Sequence, residues 1–167
     1  MAGDEIRRIR DACEGVFTGL EHIGSTAVPG LSSKPVIDLL GEVPEIMRAD
    51  GCAGALAGLG YRAMGEYGIP GRRYFYREEG GRHTHHLHVF ATGDPGLRHH
   101  RAFRDYLIAH PDEAAAYGAL KTALARRYPE DIEAYMEGKN GMVKELELRA
   151  LTWSFHRDTG EGSPEGV

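Results

Sequence analysis

The sequence predicts an α+β fold in which a small mixed β-sheet, flanked by helices, is followed by a C-terminal helical portion. Apolar runs of strand length occupy the first half of the chain, interrupted by one helical stretch, and the pattern from His99 to Phe155 is helical. The 167 residues fit a single domain, which we place at 1–156. The remaining tail, 157–167, has almost no apolar residues and is expected to be disordered.

Helices and strands are predicted to alternate along the first half. The apolar run over 36–40 is typical of a buried central strand, and Gly80 and Gly81 predict a hairpin turn. In chain order we expect a helix over 5–13, a strand over 20–23, a loop over 24–35, a strand over 36–40, a helix over 44–59, strands over 61–64, 73–77 and 85–91, and helices over 99–109, 112–127 and about 142–155.

Composition and charge exclude several classes of protein. The net charge of −5 argues against binding to duplex nucleic acid, since a binder of that kind carries a basic surface. The two cysteines, Cys13 and Cys52, are too few and too far apart for a disulfide framework or a zinc site. No apolar stretch is long enough for a membrane span and no secretory signal is evident, so we expect a cytoplasmic protein without membrane contact.

The loop over 24–35 and the strand after it form the first candidate site. A Gly-Ser turn at Gly24 and Ser25, continued by Thr26, offers backbone amides and hydroxyls to a phosphate, and Lys34 adds a cation. Asp38 lies in an otherwise apolar strand, where a carboxylate is costly unless it meets a metal, a cation or solvent. The alternative is a surface turn and a strand-end Asp that caps an amide. The spacing of the glycines excludes a Walker A motif.

A histidine-rich strand is the second candidate. Alternate residues of a strand share a face, so His86 and His88 are expected together, with His83 and His85 on the opposite face. Two imidazoles at this spacing can bind one metal ion, and ordinary surface histidines are the alternative. A histidine-triad nucleotide hydrolase would need a third histidine on the face of His86 and His88, where none is expected.

The third candidate is the set of arginines near the strand over 73–77. Guanidinium groups such as those of Arg72, Arg73 and Arg77 suit phosphate recognition, and solvated charge on an edge strand is the alternative.

The run EHIGSTAVPGLSSKPVIDLL over 21–40 resembles the signature of the GrpB family. The later blocks agree in order and spacing, so that the resemblance covers roughly residues 18–155. These blocks include His86-Leu87-His88-Val89, Phe103-Arg104-Asp105-Tyr106-Leu107, His110-Pro111, Tyr117, Leu120-Lys121, Leu124-Ala125, Tyr135 and Lys139. GrpB proteins look like members of the nucleotidyltransferase superfamily, with the polymerase-β-like fold.

The resemblance implies a metal-dependent nucleotidyl transfer from a nucleoside triphosphate to a small-molecule acceptor. Gly24 and Ser25 match the Gly-Ser turn that contacts the triphosphate in that superfamily, and Asp38 matches the first metal-binding carboxylate. Thr26, Lys34 and Arg73 are also expected to bind phosphate. Lys121 and Lys139 join them because they match the family blocks.

The second carboxylate of the superfamily pattern is missing, because Leu40 stands at its position. Glu42 has the same strand parity as Asp38 and could replace it only if the strand continues past Gly41. His86 and His88 lie where a third carboxylate is expected, so we predict that Asp38, His86 and His88 bind the metal or act in acid–base catalysis. Such a site favours Mn²⁺ or Zn²⁺ over Mg²⁺.

Two further interpretations stay open. The missing carboxylate favours a non-catalytic nucleotide- or metabolite-binding module on the same fold, and a structural protein whose pocket is a relic is the third class. Members of the family usually carry a longer N-terminal segment with a Trp. Either a covering element is shortened here, or a second copy of the chain covers the sheet edge in a homo-oligomer.

Overall fold

A five-stranded mixed sheet organises the N-terminal half of the protein. The structure, a computed structural model, describes residues 2–31 and 36–160, and the strand order in the sheet is β1-β2-β5-β4-β3. The strands are β1 Gly19–Ile23, β2 Ile37–Val43, β3 Tyr61–Ala63, β4 Arg73–Glu79 and β5 Arg82–Ala91; the helices are α1 Ala2–Ala12, α2 Met47–Gly51, α3 Ala53–Gly58, α4 Pro95–Ala109, α5 Pro111–Arg127 and α6 Ile132–Thr159, with a 3-10 turn at Ser25–Ala27. The α+β prediction is confirmed.

The sheet is antiparallel except at its centre. The pairs β1–β2, β3–β4 and β4–β5 are antiparallel, whereas β2 and β5 run parallel. The predicted hairpin turn is confirmed, because Gly80 and Gly81 connect β4 to β5 with φ angles of 59° and 77°. These positive angles are readily available only to glycine.

The two faces of the sheet have different contents. Odd-numbered residues of the central strands, such as Leu39 and Leu87, are fully buried against α1 and α3 in the main core. Even-numbered residues face the C-terminal helices, which have a second core of their own around Tyr106, Tyr117 and Leu146. Asp38, His86 and His88 are even-numbered, so strand alternation places them between the sheet and the helical half.

Several predicted boundaries are wrong for local reasons. The helix expected over 44–59 is two short helices, because the chain leaves helical geometry at Cys52, between Gly51 and Gly54. The helix expected over 99–109 begins at Pro95, since the Asp94 side chain accepts a hydrogen bond from the amide of Gly96 and caps it.

The last helix also differs from the prediction. It begins ten residues before the predicted start at 142, because Asp131 caps it by accepting a hydrogen bond from the amide of Ala134. Glycine is unfavourable inside a helix, but a Cβ atom at Gly138 would lie 2.5 Å from the side chain of Leu124. The glycine therefore lets α5 and α6 approach closely. The helix ends at Thr159, so residues 157–159 of the expected tail are helical, and 161–167 lie outside the described residues.

None of the helices among residues 2–31 and 36–160 combines the length and the hydropathy required to cross a membrane.

Candidate functional site

The central parallel strand pair brings Asp38 and two histidines together. Asp38 on β2 lies opposite His86 on β5 in the register of the sheet, and the two residues are 48 positions apart in sequence. Oδ1 of Asp38 is 3.2 Å from Nδ1 of His86 and 3.5 Å from Nε2 of His88. The carboxylate oxygen therefore faces both imidazoles.

The surroundings of Asp38 keep it ionised. Burial opposes ionisation, but the hydrogen bonds from His86 and His88 and their charges outweigh it and hold the pKa of Asp38 well below its ordinary value. A carboxylate that remains ionised in this way is a strong ligand for a cation and a poor acceptor for a proton.

The donor set fits a single divalent metal ion. Among the described residues, one ligand atom each from Asp38, His86 and His88 lies within 4.8 Å of the other two. One carboxylate oxygen and two imidazole nitrogens form a mixed set that suits Zn²⁺ or Mn²⁺. The prediction that these three residues bind metal remains a prediction, and the geometry satisfies what it requires.

Neither of the two positions considered for a second carboxylate, 40 and 42, contributes a ligand to this cluster. Leu40 is 1% exposed and packs with Ile23, Phe90 and Leu97. Strand β2 does continue past Gly41, but Glu42 accepts hydrogen bonds from Arg101 and from Thr92. Four residues along a strand separate Glu42 from Asp38 by about 13 Å, too far to share an ion.

The Gly-Ser turn lies directly against Asp38. Gly24 has φ 74° and ψ −170°, and a Cβ atom at this position would lie 2.7 Å from Oδ2 of Asp38. Only glycine allows both that backbone conformation and that approach. The hydroxyl of Thr26 contacts Nε2 of His22 and donates to the carbonyl of Val36, so it is used inside the turn.

One lysine of the helical half contacts the same turn, and a second lysine lies near the first. Lys121 on α5 donates a 2.7 Å hydrogen bond to Oγ of Ser25, 96 residues away in sequence. Burial and the charge of Lys139 on α6 lower the pKa of Lys121. Two ammonium groups that approach each other beside a Gly-Ser turn form a local positive region, as an anionic ligand requires.

A cleft of about 550 Å³ lies between the sheet and the helices. Its lining includes Gly24, Ser25, Asp38, His88, Tyr117 and Lys139. The predicted phosphate-binding turn, two of the three predicted metal ligands and one predicted lysine therefore line one cavity.

Two predicted phosphate ligands are not placed there. Arg73 forms an ion pair with Asp50 at 2.7 Å and so belongs to the contact between β4 and α2. The structure therefore does not bring Arg73 to the cleft, and its guanidinium group already pairs with a carboxylate. Lys34 lies outside the described residues.

The structure adds His83 to the cluster, on the face where it was not expected. A β-bulge shifts the register after the Arg77–His85 pair, so that Glu78 pairs with His83 and Thr84 is the extra residue. The bulge reverses the alternation, and Nδ1 of His83 lies 2.9 Å from Nε2 of His86. Strict strand alternation therefore places His83 on the wrong face and cannot predict its contact with His86.

Arg72 and His100 also surround the cluster. Arg72, for which phosphate recognition and solvated surface charge are the two alternatives, is 7% exposed and contacts Nδ1 of His88 at 3.2 Å. His100 packs against His88 with ring centroids 5.1 Å apart, and burial, together with the charge of His88, lowers its pKa to about 4. The run of basic residues around His100 gave no reason to place it beside the strand histidines.

Known proteins are similar to this chain over nearly its whole length. A family model described as GrpB protein matches residues 1–149. UPF0157 protein YqkA of Bacillus subtilis is 41% identical over 160 residues, which are 96% of this chain and 46% of that protein. UPF0157 protein PA4798 of Pseudomonas aeruginosa is 42% identical over 157 residues, 91% of this chain and 63% of that protein. The chain therefore spans less than two thirds of either relative.

A solved structure and a more distant relative extend the comparison. The crystal structure of the conserved protein GrpB from Enterococcus faecalis matches with a TM-score of 0.87 and 36% identity, covering 92% of both chains. A Mycobacterium tuberculosis protein named dephospho-CoA kinase is 28% identical over 173 residues, 89% of this chain and 42% of that protein. The first agrees with the fold described above, and the second shows that a similar region occurs within a longer protein.

Proposed function

The chain belongs to the GrpB family, and from that premise we propose that it is a metal-dependent nucleotidyltransferase acting on a small-molecule acceptor. The observation that carries the proposal is the shared cleft. It joins part of a carboxylate–imidazole cluster that can bind one divalent ion to a Gly-Ser turn and to Lys139, and Lys121 donates to Ser25 of the same turn.

The chain's own residues divide the work between phosphate binding and positioning. Ser25 and the turn that Gly24 begins hold the phosphates, and Lys121 and Lys139 offset their charge. Asp38, with His86 and His88, holds the metal, which supplies charge stabilisation at the reacting phosphate when bound. The acceptor oxygen forms a bond to the α-phosphorus, the bond from the α-phosphorus to its bridging oxygen breaks, pyrophosphate leaves, and the acceptor proton passes to solvent.

One observation favours a second candidate, a nucleotide- or metabolite-binding module without catalysis. Leu40 and its apolar neighbours occupy the position where the second metal carboxylate is expected, and Glu42 is held by Arg101. A two-metal site is therefore difficult to build here, because one carboxylate and two neutral imidazoles balance little positive charge. The binding module predicts nucleotide binding without product.

A thermal-shift panel tests metal and nucleotide binding together. ATP, GTP, CTP and UTP are each combined with Mg²⁺, Mn²⁺ or Zn²⁺ for the wild type, Asp38→Asn and Glu42→Gln. A ligand at about 100 times its Kd adds about 2.7 kcal/mol, or roughly 5–10 °C for a chain of this size. We expect a shift that needs both metal and nucleotide, that disappears in Asp38→Asn and that survives in Glu42→Gln.

Two results would overturn the assignment: a flat panel for the wild type, or a full shift in Asp38→Asn. Release of pyrophosphate then separates the enzyme from the binding module. The acceptor panel includes dephospho-CoA and CoA, because the mycobacterial relatives carry the name dephospho-CoA kinase.

A further inference from the structure

Arg72 is a buried cation whose hydrogen bonds all go to neutral acceptors. It is 7% exposed and precedes β4. Nε donates to the carbonyl of Glu66 at 3.2 Å, one terminal nitrogen donates to the carbonyl of Tyr67 at 3.0 Å, and the other contacts Nδ1 of His88 at 3.2 Å. The guanidinium also lies 4.9 Å from the ring centre of Tyr74. This single side chain links a surface loop to the candidate metal cluster.

The contact with His88 has a fixed direction. A guanidinium group has only donors, so Nδ1 of His88 must accept the hydrogen bond. The proton of a neutral His88 ring then lies on Nε2, the nitrogen 3.5 Å from Oδ1 of Asp38. Arg72 thus selects the form of His88 that donates to Asp38.

The loop that Arg72 holds lies over the site. In residues 64–72 the backbone turns back on itself, and Tyr67 has φ 48°, an unfavourable conformation for a bulky residue. Its ring stacks on Tyr74 with centroids 5.3 Å apart, and Ile69 of the same loop lines the cleft. The contacts made by Arg72 help to maintain this arrangement.

We propose that Arg72 is a positioning residue that competes with a divalent metal for His88 and so couples the loop over 64–72 to the site. The inference rests on the metal site of the proposed function. A metal bound at Nε2 needs the lone pair of that nitrogen, which moves the ring proton to Nδ1. Nδ1 can then no longer accept from Arg72. Metal binding therefore releases the guanidinium, and with it the anchor of the loop.

Calorimetric titration with Mn²⁺ and with Zn²⁺ tests the competition. Arg72→Gln removes the competing donor, and its amide oxygen can accept from Nδ1–H as a favourable outer partner does. We expect metal binding about tenfold tighter than in the wild type, by the usual size of outer-shell effects. Arg73→Gln removes the same charge from the neighbouring residue, which pairs with Asp50, and leaves the affinity unchanged.

The loss of positive charge in Arg72→Gln could by itself tighten metal binding. Arg72→Lys separates this electrostatic effect from the loss of the hydrogen bond to His88. It keeps the positive charge and a donor, so an affinity near that of the wild type is expected. Unchanged or weaker binding in Arg72→Gln, or equal tightening in Arg73→Gln, overturns the competition.

Two further measurements use the wild-type protein alone and require no enzymatic assay. In the wild type, metal should increase amide hydrogen exchange over 65–72 several-fold, and an unchanged exchange pattern contradicts the coupling. Nitrogen NMR of the metal-free wild type should place the His88 proton on Nε2, and a proton on Nδ1 refutes the positioning role. If wild type and Arg72→Gln bind metal equally, the coupling fails while the proposed function stands. If neither binds metal, the metal site of the proposed function fails, and the NMR result still decides the role of Arg72.

Discussion

The ammonium group of Lys121 donates a 2.7 Å hydrogen bond to the hydroxyl of Ser25 and so joins α5 to the turn between β1 and β2. The same ammonium group lies 4.9 Å from the ring centre of Tyr117. Burial of this lysine is costly, and the nearby charge of Lys139 adds to the cost. An anion beside Ser25 would offset both costs, which makes the lysine pair the most direct test of phosphate binding.

Replacing either lysine should weaken nucleotide binding. We expect Lys121→Met and Lys139→Met each to raise the Kd about ten- to a hundredfold, because each removes a charge-assisted contact worth about 1.5–3 kcal/mol. Lys144→Met is the matched control, since Lys144 is exposed on the same helix as Lys139. Calorimetric titration with the nucleotide found by thermal shift measures the effect. Equal Kd values in all three variants would remove the lysines from the site.

Gly24→Ala should destabilise the protein and disturb the metal cluster together. The added Cβ would overlap the carboxylate of Asp38, and the backbone of Gly24 is strained for any other residue. Gly30→Ala is the control, because Gly30 also has a positive φ, whereas a Cβ atom added there would meet no atom of the described residues within 4 Å.

For Gly30→Ala we expect a loss of about 1–2 kcal/mol in the free energy of unfolding. For Gly24→Ala the overlap adds about 1–3 kcal/mol more, and metal affinity also falls. Denaturant unfolding and metal titration give the two quantities. Unchanged metal affinity in Gly24→Ala would show that the turn does not fix the position of Asp38.

His100 should make stability depend on pH. Its pKa is lowered from 6.5 to about 4, so the unfolded chain binds a proton at a pH where the folded protein does not. The free energy of unfolding therefore falls as the pH decreases from 6.5 towards 4, by roughly 2 kcal/mol at pH 5. His100→Gln should reduce this fall, whereas His99→Gln, at the exposed neighbour, should not. Melting temperatures at pH 7 and pH 5 provide the comparison, and identical pH dependence in both variants contradicts the assignment.

The opposite face of the sheet should contribute stability without affecting the site. Glu5 of α1 is 4% exposed and accepts hydrogen bonds from Tyr61 at 2.6 Å and from Arg77 at 3.0 Å. Glu5→Gln leaves Arg77 without its buried charge partner, and we expect a loss of about 3 kcal/mol. Asp4→Asn, which removes an exposed ion pair with Arg7, should cost less than about 1 kcal/mol. Metal affinity should be unchanged in both, and a loss in Glu5→Gln would mean that the two faces are coupled.

Those parts of the site that depend on regular secondary structure can be predicted from the sequence. Apolar neighbours predict that Asp38 lies on a central strand, and the strand predicted over 85–91 contains His86 and His88. Strand alternation then puts all three on one face. The resemblance to the GrpB family added Lys121 and Lys139, and Lys121 contacts the Gly-Ser turn.

The remainder depends on local irregularities and long-range pairing. A one-residue bulge turns His83 towards His86, and no composition rule locates such a bulge. Arg72 and Arg73 are adjacent residues of the same type, yet Arg72 contacts His88 and Arg73 contacts Asp50. Their partners come from distant segments, so only the folded arrangement distinguishes a site residue from a structural one.

The position of β5 between β2 and β4 has a consequence for the order of folding. The hairpins β1–β2 and β4–β5 each form from neighbouring segments, but the β2–β5 pair joins residues that are 48 positions apart and costs more chain entropy. Asp38 meets its histidines only when this last pairing occurs. A ligand of the cluster therefore has nothing to bind in a half-assembled sheet, and it should prolong the lifetime of the native protein without accelerating its formation.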